Sequence, residues 1–481
     1  MRGLTKWLLA SVFVLITAGS ANARTITLKQ AVEGALRTSP NLKMAMHKVN
    51  AATYAAKAAL RDMLPKIKLS ANYYRMGPIP TFSFDVPASS PLANMLKGMD
   101  TSSKIGEANN FNFTSQVVQP LTPLFSLYQV KKMREIDSRA AIIDRETARE
   151  TVKLNVKTLY YTLLQMLQTK GALKGSLKSL GEHLNQVQAL MQAGVANQVD
   201  ELRVKVRIGE VRSAIAQLDG QYRATLAMFN ALIGLPRDDA TQLKEPEHRE
   251  TKLKALNAYR DAALGHRLEL AGIRSRLKEA KHGVTLAKTA FIPQGSIFAQ
   301  YGYQYGNDFI PEWSWQVGIG LQWQWEWWKN GYLMDQAKAQ AAQLRESEEA
   351  LKQGVLAQVD QAYYAVKANQ KKLEYWKISV KQARDVFRLT EDRYKAGTVT
   401  NTDVLDAQSA LIGARASYFA ALYGLMTSLE TLHEAVYGAL STGGAGQGGS
   451  GTQQQPPADS SQDNMQQSPV GASQYNMQEM R

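Results

Sequence analysis

The chain repeats itself, and that repeat limits its architecture more than any other feature. Leu28–Gly77 aligns without a gap on Leu256–Tyr305: Ala35 falls on Ala263, Leu42 on Leu270, Ala52 on Ala280, Pro65 on Pro293 and Tyr73 on Tyr301. Further along, Val156 falls on Val359, Tyr160-Tyr161 on Tyr363-Tyr364, Gly194 on Gly397 and Asp200 on Asp403. The shift in alignment lies between Gly77 and Asn110, where the first copy has a longer, proline-rich loop. Each copy reads helix, strand, loop, strand, long helix, turn, long helix. The expected division is a leader at 1–23, a first repeat at 24–240, a second at 241–440 and a tail at 441–481.

The strands come from alternation. Ile67, Leu69, Ala71 and Tyr73 share one face, and Lys66, Lys68, Ser70 and Asn72 the other. Over 314–327, Trp315, Val317, Ile319, Leu321, Trp323, Trp325 and Trp327 face one way, against Ser314, Gln316, Gly318, Gly320, Gln322, Gln324 and Glu326. Segments 111–119 and 294–306 alternate less perfectly with the same apolar and aromatic bias. A soluble sandwich strand also alternates, so placement of the aromatics has to decide. Six of the eight tryptophans lie within 313–328, at the ends of one strand. Ten steps from Trp315 to Trp325 cover ~33 Å of strand. Tilted, that is ~25 Å of membrane normal, the height of an outer-membrane apolar band between aromatic girdles. Trp315, Trp323, Trp325 and Trp327 are the candidate girdle. Four strands cannot close, and an open edge in lipid is costly, so several copies must assemble. Two would give eight strands and a filled interior, three twelve strands and a lumen.

The helices come from proline-free stretches, between Pro123 and Pro236 and between Pro311 and Pro456. Val152, Val156, Leu159, Leu163, Met166, Lys170, Leu173, Leu177, Leu180, Leu184, Val187 and Met191 step by four and three, and only Lys170 is polar. The second copy carries the same seam from Val355 to Tyr394. That period means coiled-coil packing. The outgoing helix, from about 130 to 191, would be ~90 Å long. Its return partner starts near Leu202.

Composition closes other routes. Arg2 and Lys6 precede the apolar run Trp7–Ala18 and then Ala21-Asn22-Ala23, which reads as a secretory signal. There is no cysteine for disulfides, thiolate metal sites or a lipid anchor. The +15 formal charge is spread through the periodic segments rather than gathered, which speaks for solvated helix faces and against nucleic acid. The six histidines show no metal-ligand spacing, and no nucleophile elbow or P-loop occurs, so neither catalysis nor a cofactor is expected. A soluble periplasmic adaptor is the rival reading; it would have one hairpin and no tryptophan-girdled strands. The Gly-, Gln- and Ser-rich tail from Ser441 is expected to be disordered.

Together these residues resemble the TolC-like outer-membrane efflux family. The most specific matches are Leu28-x-x-Ala31-Val32-x-x-Ala35-Leu36-x-x-Ser39-Pro40-x-Leu42, Leu64-Pro65, and Arg393-Tyr394-x-x-Gly397 with Asp403-Val404-Leu405-x-Ala407. The resemblance implies a mainly α fold with a small membrane β part. Three copies would form a 12-stranded barrel continued by a coiled-coil α-barrel, and the homotrimer would sit in outer-membrane lipid. It would dock to an inner-membrane transporter through a periplasmic adaptor. It also implies that the turns Gly194-Val195 and Gly397-Thr398 form an adaptor-binding periplasmic tip. Asp403 and Asp406 would ring its constriction, where mutual repulsion would raise their pKa values; each carboxylate could equally serve the dipole of its own helix N-terminus. Asp200 and Tyr394 would hold the tip closed. Val399 and Val199 stand where the family's best-known member has an arginine and a threonine, so a second lock is missing.

Overall fold

The computed structural model describes residues 25–438, except 80, 84–88, 96–101, 105, 247–251, 307–310 and 325. The expected leader and tail, and Trp325, lie outside the described residues. The first half runs β1 (Thr25–Ile26), α1 (Leu28–Thr38), α2 (Pro40–Arg61), β2 (Lys66–Arg75), β3 (Thr81–Ser83), α3 (Pro91–Met95), β4 (Ser102–Lys104), β5 (Asn109–Pro120), α4 (Pro123–Gln192) and α5 (Gln198–Ile233). After β6 (Gln242–Leu243) come α6 (Leu256–His266), α7 (Leu268–Thr289), β7 (Gln294–Tyr305), β8 (Trp313–Gln322), α8 (Trp327–Lys395) and α9 (Asn401–Tyr437). The duplicated order read from the sequence is the order of the fold.

Helices α4 and α8 are 70 and 69 residues long, ~105 Å each at about 1.5 Å per residue. Helix α4 starts at Pro123, earlier than the seam alone indicates, because a proline at the first helical position has no intrahelical N–H to lose. Along its seam Val152, Val156, Leu163, Leu173, Leu180 and Val187 are buried; Val204, Ile208 and Val211 of α5 pack with the last three, and Phe229 and Ile233 with the first three. Lys170, the polar member, bonds Asp219 of α5 and holds that carboxyl below its usual range. On α8 the upper seam residues Val355, Val359, Ala362 and Val366 are buried, as is Tyr394 at the lower end. Between them Leu373, Trp376 and Phe387 are half-buried.

Both halves break their entry helix at one residue. Ser39 leaves helical geometry because Pro40 follows, and its hydroxyl accepts from the Leu42 N–H at 3.4 Å. In the second half Arg267 takes the same place without a proline, at ψ 124°. Its guanidinium, 2% exposed, bonds the carbonyls of Ala435 and Glu434, Gln358 Oε1 at 2.7 Å and Glu269 Oε2 at 2.9 Å. The break is therefore tied to the last turn of α9, where the negative end of the helix dipole favours a cation.

Beside it, burial pushes the Glu434 carboxyl up to about 7, with Arg267 opposing. The folded chain keeps this proton between the ordinary carboxyl value of about 4.3 and about 7, while the unfolded chain has lost it. Stability from this group therefore falls as pH rises through that window. Glu434→Gln is expected to raise the melting temperature at about pH 8 and leave it unchanged at about pH 4, read by calorimetry.

The main sheet has strand order β2-β5-β7-β8, antiparallel throughout. Its register puts Leu69 opposite Ser115, Ser115 opposite Tyr301 and Tyr301 opposite Trp315. One face thus carries Ile67, Leu69, Tyr73, Phe111, Phe113, Val117, Ile297, Tyr301, Trp313, Trp315, Val317, Ile319 and Leu321. The other carries Lys66, Lys68, Ser70, Asn112, Thr114, Gln116, Gln300, Gln304, Ser314 and Gln316. On the polar face the Phe298 ring lies over Gly318, where an added Cβ would sit 3.0 Å from its tip.

Strand β8 is shorter than the alternation suggests. Expected over 314–327, it ends at Gln322, and Trp327 opens α8 instead of continuing the strand. The partner explains the stop. Gln322 pairs with Gln294, the residue before it is Pro293, and a proline has no N–H to extend the ladder.

Candidate functional site

Two regions carry function-bearing residue types: the apolar face of the sheet and the turns at the far end of the rods. On the sheet, Ile67 is 71% exposed, Trp315 77%, Ile319 78% and Leu321 73%. A soluble sheet covers such a face with a second layer. Here, among the described residues, no layer covers it and nothing pairs with the outer edges of β2 and β8. Trp313 packs its ring against Tyr301 and Tyr303, and Trp315 stands opposite Tyr301 in the register, near one end of the strands. Exposed Trp323, Trp327 and Trp328 lie at the other, so that aromatic group is built by a strand exit and a helix start. No helix among the described residues is long and apolar enough to cross a membrane.

At the rod ends the two halves make the same turn. Gly194 and Gly397 both have φ +74°, and open space surrounds a Cβ at either, so conformation alone demands glycine. The amides of Val195 and Thr398 close the turns on the carbonyls of Leu190 and Arg393, at 2.9 and 3.0 Å. Asn197 and Thr400 then start α5 and α9 as N-caps in full capping boxes, with Asp200 and Asp403 in the third position.

That local role decides what the aspartates do within one chain. Asp403 Oδ2 accepts from the Thr400 N–H at 2.8 Å and from its hydroxyl at 2.7 Å. Within one chain these bonds hold its carboxyl below the usual carboxylate range. Asp406, one turn on, is exposed. Asp200 likewise accepts from the Asn197 N–H, at 3.4 Å. Tyr394 is buried, and burial with the Asp200 charge nearby pushes its phenol up. The two sit close enough to interact, yet among the described residues no hydrogen bond joins them.

Other residues join the hairpins. Asn401 Nδ2 donates to the Asp200 carbonyl at 3.0 Å, and its Oδ1 lies 2.8 Å from His183 Nε2. The His183 ring stands edge-on to Tyr394, centroids 5.1 Å apart. Arg203 reaches Thr402 at 2.8 Å, Arg207 reaches Ser409 at 2.7 Å, and Gln408 reaches Ser176 at 3.1 Å. Sequence reasoning passed these over. The available signal was a histidine between Leu180 and Leu184 of the seam. Among the described residues no group of histidine and acidic side chains could hold a metal ion.

Known proteins share this fold. The sequence profile described as outer membrane efflux protein matches residues 31–235 and 259–436. The chain belongs to the outer membrane efflux protein family. It is 24% identical over 293 residues to a pyoverdine export outer membrane protein of Pseudomonas putida, OpmQ, a match over 59% of this chain and 60% of that one. It is 22% identical over 442 residues to the alkaline protease secretion protein AprF of Pseudomonas aeruginosa, covering 90% of this chain and 88% of its relative. Among solved structures, the outer membrane protein VceC of Vibrio cholerae shares the fold at TM-score 0.71 and 17% identity, over 86% of this chain and 96% of the other.

Proposed function

We propose that this efflux-family chain is one subunit of an outer-membrane exit duct, a passive conduit that enzymes and cofactors play no part in. The observation that carries the reading is the four-stranded sheet: one face apolar and uncovered, the other polar, both edges open. In lipid an unpaired edge leaves backbone groups without partners at several kcal/mol each, so other subunits must complete it. Three subunits make twelve strands with a polar lumen. Rods of ~105 Å prolong that bore across the periplasm. A single uncovered apolar sheet on two rods disfavours a soluble adaptor, which would hide such a face.

In this reading the aromatic groups with Trp315, Trp323 and Trp327 sit at the two membrane interfaces. Turns Gly194-Val195 and Gly397-Thr398 offer the surface for a periplasmic adaptor, which connects the duct to an inner-membrane transporter. Asp406, exposed and uncapped, is the better placed constriction carboxylate, and Asp403 contributes the charge left after capping its own helix. Tyr394 and Asp200 hold the closed tip through packing and charge.

Purified from outer membranes in detergent, the chain is expected to have a trimer's mass and to give small conductance steps in planar bilayers. Tyr394→Phe combined with Asp200→Ala should raise that conductance several-fold. A monomer without conductance would remove the duct reading; conductance unchanged in the double variant would remove only the role given to this pair.

A further inference from the structure

We propose that His183 is a proton-operated latch at the tip: the neutral ring ties the two hairpins of one subunit together, and protonation releases them. The proposal rests on the tip reading above for its consequence, but its evidence is local.

The hydrogen bonds fix the tautomer. Asn401 Nδ2 donates to the Asp200 carbonyl, so Oδ1 is the atom that faces His183. Oδ1 only accepts, so Nε2 must carry the proton and Nδ1 the bare lone pair. Nδ1 is buried without any partner. The residue is 3% exposed, on a helix face between the buried Leu180 and Val187, with the Tyr394 ring against it. One imidazole thus links α4 to α9 through Asn401, to α5 through the Asp200 carbonyl, and to α8 through the Tyr394 ring.

A second proton must go to Nδ1. There it creates a buried N–H with no acceptor and a full charge among apolar side chains. The charged groups nearby are already engaged or outside the contact. On its own helix Glu182 is exposed and pairs with Lys178 at 3.9 Å. On α5 the Asp200 carboxylate caps its helix, Glu201 is taken by Gln188 and Lys205, Arg203 bonds Thr402, and Arg207 bonds Glu210 and Ser409. On α8 Tyr394 offers a ring edge, and neighbouring Arg393 is exposed. On α9 Asp403 is taken by Thr400 and Asp406 is exposed. These carboxylates draw protons toward the tip without accepting the Nδ1–H in the closed packing. Water can accept it once the hairpins part. A proton therefore binds the parted state better than the closed one, and acid shifts the population toward it.

The repeat does not carry this residue twice. The second-half position equivalent to His183 is Val386, 53% exposed. The latch is present once per chain, where it joins the two hairpins.

The chain has no cysteine, so spin labels placed through Ala193→Cys and Ala396→Cys report the tip alone. The full-length assembly is expected to show a narrow label distance at about pH 7.5 and a longer, broader one at about pH 5.5. His183→Gln keeps a donor for Asn401 and cannot titrate, so its distance should stay narrow at both. His183→Leu, lacking the donor, should give the broad distance at both. A wild-type distance that ignores pH, or an acid response that survives in His183→Gln, overturns the latch. Conductance of the same samples separates the two ideas: conducting channels with labels that never move sink the latch alone. Labels that move as described in a protein that never conducts support the latch and sink the duct.

Discussion

Val317→Arg should abolish the assembled oligomer in outer membranes, while Gln316→Arg, one residue away, should leave it nearly intact. Val317 is near the middle of β8 on the apolar face, 67% exposed, opposite Ala299. An arginine on the lipid face at the bilayer midplane costs ~2–4 kcal/mol, and each subunit of the barrel would bear it. Gln316 points to the polar face, where a guanidinium stays hydrated. The measurement is the heat-modifiable oligomer band from outer-membrane fractions of each variant. Equal bands would mean that the apolar face meets protein or water rather than lipid.

The second large effect is expected at Arg267. Arg267→Ala removes one side chain and with it the bonds to Glu269, to Gln358 and to two carbonyls at the end of α9. Breaking a buried charge network by deleting one partner destabilises by ~3–5 kcal/mol. The equivalent position in the first half supplies a contrast. Ser39→Ala removes only a long N-cap bond, worth ~1 kcal/mol. Urea unfolding followed by far-ultraviolet circular dichroism should show a midpoint shift several times larger for Arg267→Ala. Arg267→Lys should recover part of it, since an ammonium can reach one or two of the partners but not the full fork. Similar shifts for Ser39→Ala and Arg267→Ala would show that the guanidinium adds no more than a helix cap.

Much of this fold was legible because its signals are local and repeated. Heptad spacing on α4 announces a rod whatever it packs against, and Gly194 with Gly397 announces the same turn twice. What escaped depends on partners distant in sequence. The alternation through Trp327 gives no sign that Pro293 ends the ladder on the neighbouring strand. Asp403 reads as a ring charge or as a carboxylate at its own helix N-terminus, and nothing in the sequence shows that Thr400 holds it. Arg267 and Asn401 look like ordinary surface polars; their partners lie more than 150 residues away, at Ala435 and His183. Of the tip residues, sequence picked out the turns and aspartates and missed the bonds between the hairpins.

The pairing of Lys170 with Asp219 has a consequence for length. Two apolar rods can slide past each other by a heptad and recover nearly all their contacts, so leucines alone set no ruler. Lys170 stands on a stripe of Leu163, Leu173 and Leu180, and only one offset brings its ammonium to the acid on α5. Any other alignment leaves the half-buried Lys170 without that carboxylate. One charged pair midway down the shaft thereby calibrates where both strands of the hairpin finish, and so how deep into the periplasm the mouth is held.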